Sequence, residues 1–373
     1  MSASKLFQSI RVGDITLAHR VVLAPLTRFR HTDLTHVALP NVKEYYAQRG
    51  STPGTLLITE ATFIAPQAGG YKNAPGIWSD EQIKGWKEVT DRVHAQGSFI
   101  DLQLWALGRA AVASELKEEN PSFEYVAPSA VQLSGHPETP RPLTIPEIKQ
   151  YAQWYATAAR NAVERAGFDG VEIHGANGYL IDQFLQDVTN KRTDDYGGSI
   201  ENRARFGLEV VDAVVAAVGA KKVGIRLSPW NQYQDMRMED PIPQYTYFVK
   251  ELKARHPDFA YIHLVEPRVV GTETRDEKDM DAREQNDFLR EIWAPKPFIS
   301  AGGYNRELAL KIAEEKGDVI AFGRFFISNP DLPRRLKEDI PLTAYNRATF
   351  YLKGDSSPTG YTDYPFATEK LSK

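Results

Sequence analysis

The chain has 373 residues, of which 42% are hydrophobic and 25% are charged. This composition is typical of a folded globular protein and argues against a disordered, collagen-like or coiled-coil chain. With 45 basic and 49 acidic residues the formal net charge is −4, and no basic tract favours binding to nucleic acid or anionic lipid. The absence of cysteine excludes disulfides, iron–sulfur clusters, thiolate zinc sites and thiol nucleophiles.

Eight short apolar runs recur along the chain, and longer amphipathic or charged stretches separate them. This alternation predicts parallel strands joined by helices. The predicted strands cover residues 21–24, 55–59, 99–104, 170–174, 223–227, 261–265, 297–300 and 319–322. The predicted helices cover residues 80–96, 145–166, 200–218, 242–255, 279–292 and 306–316.

Eight β/α units favour one closed (β/α)8 barrel over two open sheets. We expect residues 1–373 to form a single domain with an excursion after the third strand, at residues 105–142, and a second long connection at 227–244. A C-terminal extension follows residue 326, and we expect it to pack Phe350 and Tyr351 toward the barrel mouth. The N-terminus lacks an apolar signal segment and no run approaches the length of a membrane helix, so we expect a cytoplasmic protein.

The strongest local signal is the group His174, Asn177 and Tyr179, which follows the fourth predicted strand. Gly175 and Gly178 allow a sharp turn there, so the three polar side chains can converge. An imidazole N–H beside an amide N–H would bind a carbonyl oxygen and stabilise negative charge that develops on it. The Tyr179 phenol could donate a proton from another direction.

Each of these residues alone also has a structural explanation. The alternatives are a core histidine, an Asn-Gly turn and a packing tyrosine, but their joint position at a strand end favours a site. His174 has no histidine or carboxylate partner at the spacing of known zinc motifs, so we expect no metal.

Glycines and an arginine follow the last two predicted strands, with Gly302 and Gly303 after the seventh and Gly323 and Arg324 after the eighth. In many barrels these loops bind phosphate, because glycines let backbone N–H groups approach an anion and arginine adds positive charge. Alternatively, the glycines only turn the chain and Arg324 pairs with a surface acid. No G-x-G-x-x-G or Walker motif occurs, which favours a mononucleotide-sized ligand.

Gln103 and Arg226 place polar groups on the third and fifth strands, where valine or leucine usually fills a barrel. An amide and a guanidinium can bind the edge of a flat heteroaromatic ring, such as the pyrimidine edge of a flavin. Arg226 could instead form a buried ion pair with Glu172, and the two interpretations are compatible. Thr27 could offer a hydroxyl to a ring carbonyl, or it is a simple turn residue.

Six motifs occur in order along the chain: residues 24–28 (APLTR), 66–71 (PQAGGY), 103–105 (QLW), 174–180 (HGANGYL), 195–199 (DYGGS) and 323–325 (GRF). Together they resemble the old yellow enzyme family of flavin-dependent ene-reductases, especially its fungal branch. The resemblance runs almost from end to end, and it implies a TIM barrel with noncovalently bound FMN.

Carried over position by position, the resemblance implies three groups of site residues. The FMN ring would contact Pro25, Leu26, Thr27, Ala61, Gln103 and Arg226. The FMN phosphate would be bound by Gly302, Gly303, Gly323 and Arg324. The substrate oxygen would bind His174 and Asn177, with Tyr179 as the proton donor. The pocket above the ring would be shaped by Trp105, Phe350 and Tyr351.

The resemblance also implies the reaction. NADPH, or as the less favoured reductant NADH, reduces the FMN and leaves, and an α,β-unsaturated aldehyde or ketone then occupies the same flavin face. Hydride passes from flavin N5 to the substrate β-carbon, and Tyr179 protonates the α-carbon. Residues 27–31 and 34–40 are individual to this chain, so substrate preference stays open. The sequence also leaves open whether the protein is a monomer or a homodimer.

Two other function classes are weighed against this one. A lyase or isomerase acting on a phosphorylated substrate would need a Schiff-base lysine or a catalytic carboxylate at a strand end, and the predicted strand ends carry no lysine. A noncatalytic flavin- or steroid-binding module would not depend on His174 or Tyr179. The combined motifs favour the ene-reductase.

Overall fold

The computed structural model describes residues 4–271, 273–275 and 280–368. Its centre is a closed barrel of eight parallel strands: β1 (Val21–Leu23), β2 (Leu56–Ile58), β3 (Phe99–Trp105), β4 (Gly170–Gly175), β5 (Val223–Leu227), β6 (Tyr261–Val265), β7 (Phe298–Ala301) and β8 (Val319–Phe322). The predicted barrel is therefore confirmed, and every predicted strand end lies within one residue of the observed one.

Neighbouring strands pair in chain order, and β8 pairs with β1 to close the barrel. In that closing pair Ala321 lies opposite Val22. The short strand Thr62–Phe63 adds to the end of β3. Because all eight strands are parallel, their carboxyl ends meet at one mouth.

An antiparallel hairpin, Ile10–Val12 and Ile15–Leu17, covers the opposite end of the barrel. Val12 and Leu17 are buried in one apolar cluster with Leu56 and Val319, which are the first residues of β2 and β8. The hairpin therefore extends the barrel core, and a ligand site is expected at the mouth.

Helices surround the barrel: α1 (Val42–Arg49), α2 (Asp80–His94), α3 (Ala113–Glu119), α4 (Ile145–Arg160), α5 (Leu180–Leu185), α6 (Ile200–Val218), α7 (Ile242–Arg255), α8 (Asp287–Trp293), α9 (Arg306–Lys316), α10 (Arg324–Ser328) and α11 (Leu332–Glu338). Their apolar faces and the outward residues of the strands share one core, as Val210 of α6 and Ile173 of β4 do. Within the described ranges, no helix combines the length and apolar character needed to cross a bilayer.

Local sequence sets several helix starts. Ser79 and Gln82 form a capping box at the start of α2, and Thr144 and Glu147 form one at the start of α4. Such boxes satisfy backbone N–H groups that have no partner within the helix. The predicted helices 200–218, 242–255 and 306–316 coincide with α6, α7 and α9, whereas those at 80–96 and 145–166 extend past α2 and α4. After α4 the chain continues as a π-helical turn, Asn161–Arg165.

The predicted helix 279–292 was wrong at its start. Asp279 lies outside the described residues, and α8 begins only at Asp287. Upstream, the backbone N–H of Arg283 donates to the Asp281 carboxylate at 2.9 Å. Such a local side-chain bond competes with helical hydrogen bonding. The excursion after β3 also contains more structure than predicted, namely α3 and a pair of two-residue strands, Val126–Ala127 and Arg141–Pro142.

Candidate active site

A cavity of about 690 Å³ opens at the barrel mouth, within the range of about 300–1,000 Å³ found for small-molecule and cofactor sites. Strand ends and the loops that follow them form its walls. The predicted site residues that line it are Pro25, Leu26, Thr27, Trp105, Asn177, Tyr179, Arg226, Gly302, Gly303, Gly323, Arg324, Phe350 and Tyr351. The remaining three, Ala61, Gln103 and His174, are buried beside this lining.

Three of the predicted residues form one aromatic group. The rings of His174 and Tyr179 meet edge to face with 4.8 Å between centroids, and Tyr179 packs edge to face against Trp105 at 5.0 Å. The rings of Trp105 and His174 are nearly parallel, with centroids 6.4 Å apart. Ala61 belongs to the apolar cluster that contains Trp105. The ends of β3 and β4 and the turn before α5 therefore meet at the cavity wall.

The state of the His174 ring follows from its neighbours. The backbone N–H of Ala176 donates to its Nδ1 at 3.3 Å, so Nδ1 is an acceptor and Nε2 carries the ring proton. Burial, and secondly the positive charge of Arg226, hold the pKa of His174 well below 6.5. The ring is therefore neutral near pH 7, with one N–H donor at Nε2.

Tyr179 keeps its proton for a similar reason. Burial raises the pKa of its phenol well above 10, and the nearby phenols of Tyr71 and Tyr233 act in the same direction. A hydrogen bond from the side chain of Gln234 opposes this rise in pKa. Because the phenol is neutral, it can donate a proton.

Glu172 organises the polar groups inside the barrel. Its carboxylate accepts a hydrogen bond from Gln103 Nε2 at 2.7 Å and lies 2.8 Å from Nδ1 of His263. Arg226 lines the cavity, and its buried Nε has no hydrogen-bond partner in the described part of the chain. Glu172 affects Arg226 through space: burial lowers the pKa of Arg226, and the charge of Glu172 raises it.

The glycines after β7 and β8 form a cradle beside Arg324. Gly302 and Gly303 have φ angles of +130° and +63°, a region that favours glycine. A Cβ at Gly323 would lie 3.2 Å from Leu26 Cδ2. Nη2 of Arg324 donates to Oγ1 of Thr274 at 2.7 Å, so within the described part of the chain its hydrogen-bond partner is a hydroxyl rather than a surface acid.

These features fit FMN. Among the described residues, the Arg226 Nε donor has no hydrogen-bond partner. The glycine cradle admits a close approach of backbone to ligand, and Arg324 supplies a cation beside that cradle. A flat ring with a phosphate tail matches this donor set. Within the described ranges, no three His, Cys, Asp or Glu side chains gather into a group that could hold a metal ion.

Sequence reasoning missed several aromatic residues of the cavity wall. They include Phe29, Tyr71, Tyr233, Tyr304 and Tyr345. Phe29 directly follows the APLTR motif and Tyr71 ends the PQAGGY motif, so their position was a usable signal. Tyr233 lies in the long connection after β5, where nothing in the local pattern marked it.

Comparison with known proteins agrees with this geometry. The sequence model of the NADH:flavin oxidoreductase / NADH oxidase family matches residues 5–343. The crystal structure of Old Yellow Enzyme from Pichia sp. AKU4542 is 40% identical, with a TM-score of 0.88 over 98% of this chain and 95% of that one. This chain belongs to the old yellow enzyme family. It is therefore an oxidoreductase of the FMN-dependent type.

Two fungal relatives match over nearly their whole length. A chanoclavine-I aldehyde reductase from Penicillium roqueforti is 53% identical over 371 residues, which cover 98% of this chain and 97% of that protein. A protein named a probable inactive reductase, from Epichloe festucae var. lolii, is 50% identical over 379 residues, covering 100% and 98%. This chain is thus almost equally similar to a relative named as a reductase and to one named as a probable inactive reductase. Membership alone does not give the substrate.

Proposed function

We propose that this protein is an FMN-dependent ene-reductase that uses NADPH to reduce the activated C=C bond of α,β-unsaturated aldehydes and ketones. One observation carries the proposal: the rings of His174 and Tyr179 meet edge to face, with 4.8 Å between centroids, beside a cavity that Tyr179 and Asn177 line. Such a reduction needs two things from the protein: hydrogen-bond donors for the substrate carbonyl oxygen, and a proton for the substrate α-carbon.

The FMN site is assigned to the cradle and to the polar groups of the barrel mouth. The phosphate is held by Arg324 and the glycine loops, while Arg226, Gln103 and Thr27 bind the edge of the ring. FMN held there would supply the hydride chemistry, from the reduced nicotinamide to the substrate β-carbon. Because cavity residues range from Ala24 to Tyr351, the whole chain is proposed to act as one FMN-binding domain.

His174 and Asn177 hold the substrate carbonyl oxygen. Nε2–H of His174 and the Asn177 carboxamide donate to it, and both hydrogen bonds strengthen as negative charge develops on that oxygen. A neutral imidazole suits this task, since its proton stays in place while it polarises the carbonyl. The low pKa of His174 therefore supports a role as a hydrogen-bond donor rather than as the acid.

Tyr179 delivers its Oη proton to the substrate α-carbon. A phenolate in this buried place is unfavourable, as the raised pKa of Tyr179 indicates. The proton therefore leaves only for a strongly basic carbon, which exists after the hydride has arrived at the β-carbon. This order of events protects against proton loss in the absence of substrate.

Aromatic side chains complete the pocket. Trp105 and Phe350 are 1% and 5% exposed, whereas Tyr351 is 50% exposed. The buried pair excludes water from the reacting atoms, and Tyr351 is placed to contact the part of the substrate that points out of the mouth. A water-poor site strengthens the hydrogen bonds to the developing oxyanion.

Product analysis tests the proposal. The purified holoprotein is incubated with 2-cyclohexenone and NADPH, in parallel with NADH, in H₂O and in D₂O. We expect cyclohexanone, with one solvent deuterium at the α-carbon and none at the β-carbon, and faster turnover with NADPH. Formation of the allylic alcohol would assign carbonyl reduction instead, and no turnover of a set of enals and enones would favour a noncatalytic flavin-binding module.

A further inference from the structure

Asn231, in the loop after β5, contacts the side chain that is proposed to bind the substrate oxygen. Its own side chain is 3% exposed. Nδ2 of Asn231 donates a hydrogen bond of 2.8 Å to Oδ1 of Asn177. Asn177 is thus engaged through its carboxamide oxygen, from the side of the β5 loop.

The direction of this hydrogen bond is determined by the backbone. The N–H of Tyr233 donates to Oδ1 of Asn231 at 2.9 Å, and a backbone N–H can only donate. Asn231 must therefore present its oxygen to Tyr233 and its NH₂ group to Asn177. For the same reason Asn177 must turn its oxygen toward Asn231. Its NH₂ group, which carries two donors, is left for the cavity.

The backbone of Asn177 is fixed by the same loop. Its N–H donates to Ser228 Oγ at 2.7 Å, and its carbonyl accepts from Gln234 Nε2 at 2.7 Å. Its φ of +58° lies in the left-handed region, which asparagine tolerates better than most residues. With the backbone held on both sides, rotation of the carboxamide is the main remaining freedom.

We infer that Asn231 is a positioning residue for the reduction, because it fixes the Asn177 carboxamide with its donors toward the substrate oxygen. The inference rests on the proposed function. Without a donor at position 231 the carboxamide has two orientations of similar energy, and one of them places an oxygen against the substrate oxygen. Asn231 removes that unfavourable orientation.

Two variants separate this role from a general loss of structure. Asn231→Asp is nearly isosteric and still accepts the Tyr233 N–H, but it offers an acceptor to Asn177 and so favours the reversed carboxamide. Asn231→Ala removes both contacts and leaves the carboxamide free. If Asn231 acts by orienting the Asn177 carboxamide, Asn231→Asp should weaken substrate binding more than Asn231→Ala does. If Asn231 only supports the structure of the loop, Asn231→Ala should weaken it more.

The measurement is the dissociation constant of 2-cyclohexenone for the oxidised holoenzyme, by calorimetry, in the native background and in an Asn177→Ala background. The second background measures the through-space effect of the aspartate charge, since no carboxamide is left to turn. We expect Asn231→Asp to weaken binding about tenfold in the native background, which is the size of one hydrogen bond to the substrate carbonyl. In the Asn177→Ala background we expect less than about a twofold change. Thermal melting of each variant confirms that it folds.

The inference would be overturned if Asn231→Asp changed the dissociation constant by the same factor in both backgrounds. It would also be overturned if Asn231→Ala bound cyclohexenone more weakly than Asn231→Asp does. A neutron structure of the ligand-free holoenzyme gives a second, independent readout. In the wild type the Asn177 NH₂ hydrogens should face the cavity, and in Asn231→Asp they should face residue 231. Hydrogens that face residue 231 in the wild type would also overturn the inference. If the wild type neither binds cyclohexenone nor is reoxidised by it, the proposed function fails, whereas normal wild-type binding with equal fold-changes rejects only the role of Asn231.

Discussion

The guanidinium of Arg28 joins two parts of the site that are 322 positions apart in sequence, since its Nε donates to the backbone carbonyl of Phe350 at 3.1 Å. Its Nη2 donates to the carbonyl of Gly360 at 2.8 Å, and the side chain is buried. Arg28 directly follows Thr27 in the cavity wall, and Phe350 precedes Tyr351 at the mouth. Arg30 of the same loop is also buried and donates to the backbone carbonyls of Ser357 at 3.1 Å and Thr359 at 3.0 Å. Two buried arginines therefore attach the C-terminal extension to the loop after β1.

Replacement of Arg28 should weaken this attachment. Arg28→Met leaves buried carbonyls without donors, at about 1–3 kcal/mol for each group, so we expect the free energy of unfolding to fall by about 3 kcal/mol in urea titrations. The control is Arg334→Met, which removes a surface pair with Glu338 and should change stability by less than about 0.5 kcal/mol. Equal stability of the two variants would mean that Arg28 does not anchor the extension.

Tyr179→Phe should separate the two half-reactions. The variant keeps the ring contacts with His174 and Trp105 but loses the proton, so reoxidation of the reduced enzyme by cyclohexenone should slow by about 10²–10⁴-fold. Reduction by NADPH should stay within about twofold, because no proton from Tyr179 enters that step. Stopped-flow absorbance measures both rates, and Tyr247→Phe on α7 is the matched control. Unchanged reoxidation by cyclohexenone would remove Tyr179 as the proton donor.

Arg324→Ala should weaken FMN binding without unfolding the barrel. The lost hydrogen bonds to a charged phosphate are worth about 1.5–3 kcal/mol, which corresponds to an increase of about 10–100-fold in the FMN dissociation constant. Fluorescence titration of the apoprotein with FMN measures it. Arg165→Ala, which removes a surface pair with Asp80, should bind FMN normally. Normal affinity in Arg324→Ala would place the phosphate elsewhere.

Glu60 predicts a pH dependence of stability. Burial raises the pKa of its carboxyl from 4.5 to about 7, against the opposing hydrogen bond from the backbone N–H of Arg28. Between those values the folded protein binds the proton more tightly than the unfolded chain does, so stability falls as pH rises from about 4.5 to about 7.

Glu60→Gln has no such proton to lose. Its stability relative to the wild type should therefore increase across this pH window, by up to about 3 kcal/mol at 1.36 kcal/mol per pKa unit. Urea titrations of both proteins at pH 4.5, 5.5 and 7 measure the difference. A difference that does not change with pH would show that Glu60 does not titrate there.

Much of the fold was predictable because its strands are short, apolar and regularly spaced. The long helices α6, α7 and α9 were found by their periodicity, whereas α5 and α10 were missed since six and five residues hold too few turns for a periodic signal. The start of α8 was misplaced because the Asp281 side chain forms a local turn, which a count of apolar spacing does not detect.

The site was predictable where strand ends carry unusual residues, as with His174, Arg226 and Arg324. The contacts that set their chemistry were not. Glu172 binds Gln103 and His263 rather than forming the considered direct pair with Arg226, and this depends on the register of β3 to β6. Asn231 reaches Asn177 from 54 positions away, through a loop geometry that no local pattern encodes.

An anaerobic titration of the purified holoprotein tests the central claim most directly. The account predicts a bound flavin absorbance that bleaches with one equivalent of NADPH and returns on addition of one equivalent of cyclohexenone, with cyclohexanone as the product. A protein that binds no FMN at the barrel mouth, or a reduced flavin that stays bleached in the presence of every enal and enone tried, would contradict it.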